Sequence, residues 1–181
     1  MTKKILINSI YVIFLSIIAI LQIAFFSAWN GFFSSLNLII IFLVFILFFY
    51  NLKAALIAAF IFAFWLEIFS FNFFGIFIIS LLLTLYIIEK LSFSWLTNRS
   101  LYSFVILNIL AVLIYQLISQ SILYFSDLEN SRFLIFTSAF WLNAFYQIFW
   151  SFLISIFSFN FMIAFNDRYR PDFLGGKMKS L

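Results

Sequence analysis

Cysteine and histidine are both absent from the 181 residues. Without cysteine there is no disulfide, no thiol nucleophile and no thiolate metal site, and the redox compartment is unreadable. Without histidine, the usual proton shuttle near neutral pH and the commonest metal ligand are missing. Proline occurs once and glycine four times, so little interrupts long helices. Charge is scarce as well: 9% of residues are Asp, Glu, Lys or Arg, against about 25% in an ordinary soluble domain. There is no GxSxG, no HExxH, no Gly-rich phosphate loop and no pair of acids on one helix face. The expectation is a non-enzymatic chain without cofactor or metal.

What the chain does contain is apolar: 67% of residues are hydrophobic, 31 are Phe, and the mean hydropathy is +1.22. The abundance of Phe, Ile and Asn reads as AT-rich codon bias rather than a special role for phenylalanine. An all-α, polytopic integral membrane protein follows, with about six transmembrane helices and both termini cytoplasmic. Residues 1–165 form the transmembrane domain, leaving no room for a separate soluble one. Residues 166–181 form a basic cytoplasmic tail expected to be poorly ordered. A net charge of +4 and a pI near 9.4 fit basic cytoplasmic loops and a lipid partner better than nucleic acid. The dense charges of residues 167–172 fit a juxtamembrane segment near anionic lipid.

The expected spans are residues 5–26, 36–50, 54–69, 75–88, 101–125 and one within 136–165. The first follows Lys3 and Lys4 and is too long for the roughly 7–15-residue core of a signal peptide, so it is read as retained. Trp29, Asn30 and Gly31 form a turn after it. The second is short of the ~20 residues a straight span needs, and Phe32 and Phe33 or tilted neighbours would have to extend it. Glu89, Lys90 and residues 92–99 are expected to form a polar loop. With six spans, Lys3, Lys4, Lys53, Lys90, Arg99, Arg168, Arg170, Lys177 and Lys179 fall on the cytoplasmic side and Arg132 alone outside. That asymmetry orients the chain. No internal repeat is evident.

Glu67 is the one acid or base inside any apolar run. A carboxyl group at membrane depth is costly unless paired, protonated or wet, so it marks a site. Ala55, Ala59 and Ala63 lead up to it at i, i+4 spacing, an inclined small-residue ridge that lets a second helix approach closely. Ala63, Glu67, Ser70 and Gly75, with the apolar residues between them, resemble the pattern of the rod shape-determining protein MreD family. The resemblance covers about 40 residues, with Glu67 where the family usually has Asp and Ala63 where it usually has Gly. It implies a scaffold subunit of the bacterial cell-elongation and peptidoglycan-synthesis machinery in the cytoplasmic (inner) membrane. The partners it implies are MreC, the MreB filament and peptidoglycan-synthesising membrane enzymes.

Other intramembrane polar residues gather in the expected outer half: Gln22, Gln116, Ser119, Gln120, and the i, i+4 row Asn143, Gln147, Ser151 and Ser155. Ser80 and Thr84 form a similar pair. They are either hydrogen-bonding glue between helices, at about 0.6 kcal/mol per contact, or the lining of an outward-facing cavity. Glu67 is either a buried structural acid, donating when protonated to Asn143, Gln147 or Gln22, or an acid reaching water at the boundary. An alternative function is the substrate-binding subunit of an energy-coupling-factor type vitamin transporter. Its usual Ala-xxx-Ala contact motif has a counterpart in Ala24 and Ala28, but at the outer end of the first span.

Overall fold

A computed structural model describes the backbone of residues 2–26, 32–70, 74–95, 100–126 and 137–165. Six α-helices account for nearly all of it: α1 (Thr2–Leu21), α2 (Leu38–Phe49), α3 (Leu52–Phe69), α4 (Ile76–Trp95), α5 (Leu101–Ser126) and α6 (Ser138–Phe165). There is no strand among the described residues. Four of these helices, α3 to α6, are long and apolar enough to cross a membrane. This is the all-helical membrane architecture expected from composition. The turn at residues 29–31, the loop around Arg132 and the tail 166–181 lie outside the described residues.

Three details differ from the sequence reading. α1 ends at Leu21 and passes into a single π-turn, Gln22–Phe26. α4 runs on to Trp95, so Glu89 and Lys90 belong to the helix rather than to a loop. Lys90 reaches back one turn and holds its ammonium 5.2 Å from the Tyr86 ring centroid, which lets the helix carry that charge. The third difference is α2. Its 12 residues span about 18 Å at 1.5 Å per residue, well short of the ~30 Å hydrocarbon core.

The short α2 sits at the centre of the bundle. Eight of its residues, from Ile39 to Phe49, are buried, and it contacts α1, α3, α4, α5 and α6. The segment before it is not helical. Phe32 and Phe33 pack their rings, tilted, against Trp150 of α6 with centroids 5.0 and 5.2 Å away, and the Trp150 indole donates to the Phe32 carbonyl at 3.0 Å. Trp150 lies about 18 Å along α6 from Ser138. The turn into α2 is therefore sunk against the middle of its neighbour.

α3 shows how two apolar faces are told apart. Ala55, Ala59 and Ala63 are fully buried, with Ala58 and Phe62 beside them, on the face packed by α1, α2 and α4. Ile57, Phe60, Phe64 and Ile68 make the opposite stripe and are about half exposed. The small residues let backbones approach, and the large ones are left for lipid.

Candidate functional site

Glu67 stands two residues before the end of α3 and is 5% exposed. Its Oε1 accepts hydrogen bonds from the backbone N–H of Phe77 at 2.8 Å and of Ile78 at 3.3 Å. Those are the second and third residues of α4, whose first-turn amides have no partner within the helix. In hydrocarbon an unmet amide costs several kcal/mol, and the partial positive charge of a helix N-terminus favours an anion there. Glu67 is thus a cap supplied by the preceding helix. It accepts from backbone rather than donating to Asn143, Gln147 or Gln22, as the sequence suggested. The sequence pattern missed this because the cap reaches across a turn, ten residues ahead.

The rest of the motif builds that turn. Ser70 closes α3, its backbone N–H donating to the Leu66 carbonyl at 3.0 Å and its hydroxyl reaching the Glu67 carbonyl at 3.5 Å. Gly75 has a φ of +104°, a region that L side chains rarely enter. Its carbonyl takes the Ile79 N–H at 3.0 Å, starting α4. A Cβ at Gly75 would meet nothing nearer than Ile79 Cδ1 at 4.0 Å. Glycine is therefore required by backbone conformation and not by lack of space.

Gln22 performs the same task one helix earlier. Its Nε2 donates to the Leu36 carbonyl at 2.7 Å, and its Oε1 accepts from the Leu38 N–H at 2.9 Å. The side chain brackets the start of α2, where Asn37 also caps Ile40 at 3.3 Å. Gln22 is consequently separate from the other polar residues with which sequence position had grouped it. Ser80 and Thr84 are buried but turned onto their own helix, donating to the Ile76 and Ser80 carbonyls at 2.7 Å.

A second polar group lies between α5 and α6. Gln116 Nε2 donates to Gln147 Oε1 at 2.8 Å, joining two residues predicted for the cluster. Ser151 and Ser155 are fully buried. Asn143, expected at the head of that row, is exposed: the three i, i+4 steps from Asn143 to Ser155 drift around the helix, so the row does not keep to one face. Gln120 is half-buried and outside the Gln116–Gln147 pair. Asn108 is a buried member that the sequence reading overlooked, although its place eight residues before Gln116 was a usable signal. Ser119 bonds the Gln116 carbonyl at 3.2 Å.

Between α1, α2 and α6 runs a groove of about 340 Å³, lined by Phe14, Phe42, Phe45, Ile154, Phe157 and Ser158 among others. Among the described residues Ser158 is its one polar side chain. No group of three or more His, Cys, Asp or Glu residues that could hold a metal ion occurs among the described residues. Comparison with protein-family models, curated proteins and solved structures finds no match to this chain.

Proposed function

We propose that this chain is a non-enzymatic membrane scaffold subunit of the bacterial cell-elongation machinery, set in the cytoplasmic membrane with both termini inside. Its partners would be MreC, MreB and peptidoglycan-synthesising membrane enzymes, as the resemblance to the MreD family implies. The observation that carries the reading is the use made of the motif residues. Glu67, Ser70 and Gly75 join α3 to α4 in one capped turn, and Ala55, Ala59 and Ala63 are buried along α3. A pattern spent on helix packing and helix caps suits a protein whose output is its shape and its contacts. The vitamin-transporter alternative wants a polar pocket for a water-soluble ligand, whereas the groove beside α2 is lined, among the described residues, by apolar side chains and one hydroxyl.

Deleting the gene tests the reading. Rod-shaped cells are expected to round up, and the tagged protein is expected to co-purify with an MreC-type partner from membranes. Normal cell shape after deletion, together with tight binding of a water-soluble vitamin by the purified protein, would overturn it. Topology is checked separately in this cysteine-free background: Ser131→Cys should label from outside the cell and Ser180→Cys from inside only.

A further inference from the structure

The α5–α6 seam contains more buried polar atoms than its own contacts satisfy. The two helices run antiparallel in a register fixed at two points. Gln116 bonds Gln147 at 2.8 Å, and Phe104 meets Phe159 with ring centroids 6.0 Å apart. The same register sets Val112 opposite Ser151 and Asn108 opposite Ser155. Four atoms along this line are buried without a hydrogen-bond partner: Gln116 Oε1, Ser151 Oγ, Asn108 Oδ1 and Ser155 Oγ. Their residues are between 0% and 6% exposed. The other end of each amide is already committed, Asn108 Nδ2 to the Phe104 carbonyl at 2.9 Å and Gln116 Nε2 to Gln147.

We infer that this seam is a binding site for water, held in two rungs about 12 Å apart along α5. Buried polar groups are nearly always satisfied, by protein or by ordered water, and a buried water typically makes two to four hydrogen bonds. The donors and acceptors here match that need. In the lower rung a water donates to Asn108 Oδ1 and accepts the Ser155 hydroxyl proton. In the upper rung a water donates to Gln116 Oε1 and accepts from Ser151, one helical turn past Gln147. Below Asn108 the seam is closed by aromatic rings, Phe104 against Phe48, Phe49 and Phe159 at 5.3 to 6.0 Å. The polar line therefore stops at Asn108, with the aromatic rings beyond it leaving nothing for a water to bond. Its ligand is water and not a larger solute, because the helices stay close enough for Gln116 and Gln147 to bond directly.

The experiment uses the full chain, isotope-labelled in lipid bilayers, and reads magnetisation transfer from water protons to side chains. Transfer is expected to the Asn108 and Gln116 amide groups and to the Val112 methyls, and not to the Leu43 methyls in the α2 core. Ser155→Ala should then abolish the Asn108 signal and lower the melting temperature by about 2–4 °C, because a water bridge is lost. Absence of transfer to Asn108 and Gln116 would overturn the inference. So would a rise in melting temperature on Ser155→Ala, since removing a lone hydroxyl from a dry seam relieves a cost. The outcome is independent of the proposed role in cell elongation.

Discussion

Replacing Glu67 separates two things a buried carboxylate can supply, an acceptor and a charge. Oε1 is the working atom, taking the Phe77 and Ile78 amides. Oε2 is buried with no hydrogen-bond partner. Glu67→Ala leaves both amides unmet at the start of α4, at about 1–3 kcal/mol for each buried donor. Together the loss is roughly 2–4 kcal/mol once the uncapped start of α4 relaxes or admits water. Glu67→Gln keeps an oxygen at the Oε1 position. It gives up the attraction between a negative charge and the helix N-terminus, about 0.3–1 kcal/mol. It also removes that charge from a site where one oxygen has nothing to bond, which offsets the loss.

The expected order of stability is therefore Gln close to wild type, within about 1 kcal/mol, and Ala well below both. Unfolding in detergent followed by tryptophan fluorescence measures it, with five tryptophans in the chain as reporters. Hydrogen exchange at Phe77 and Ile78 localises the effect, since loss of the cap should speed exchange there first. Equal damage from Gln and Ala would refute the reasoning, because it would mean that the charge itself is needed. A harmless Ala would refute it from the other side.

Ala59→Leu should overpack the buried face of α3 and cost roughly 1–3 kcal/mol, whereas Ile57→Ala on the half-exposed stripe should change detergent stability by less than about 0.5 kcal/mol. Gly75→Ala should destabilise by about 1–2 kcal/mol through its positive φ alone, with Gly75→Asn milder; equal effects from both, measured in the same unfolding assay, would implicate space rather than conformation. Gln22→Leu should expose the Leu38 amide at the start of α2 to rapid exchange and cost about 1–3 kcal/mol, with the α3–α4 turn unaffected.

Helix existence was legible in the sequence because apolar runs of this length admit few alternatives in a membrane. The burial of Ala55, Ala59 and Ala63 was legible for the same reason that their spacing matters: small residues at i, i+4 have a packing use and no lipid-facing one. Which residues meet across the bundle was not. These helices are apolar on every side, so periodicity does not separate the core face from the lipid face. Gln22 was grouped with Gln116 by depth alone, yet its partners are the backbone of Leu36 and Leu38. Gln116 and Gln147 are 31 residues apart and paired, while Asn143, one turn before Gln147, is exposed. Depth along a helix can be read from position in a span, but angle around it depends on the neighbours.

The placement of Gln22 follows from the shortness of α2. A 12-residue helix cannot carry its own first turn to the membrane surface, so its N-terminus begins inside the bundle and must be capped there. Gln22 does so from the first position of the π-turn, its side-chain oxygen accepting from the Leu38 amide. The same sunken turn brings Phe32 onto Trp150, and it leaves the groove beside α2 open between Phe14 and Phe157. Glu67 repeats the arrangement for α4, using a carboxylate where Gln22 uses an amide. The difference has a physical basis. The start of α2 presents both a carbonyl and an amide to be met, which suits a side chain that donates and accepts. The start of α4 presents two amides, which suits an acceptor. On that logic Gln22→Glu should fail where Glu67→Gln succeeds, because a carboxylate beside the Leu36 carbonyl has no proton to give.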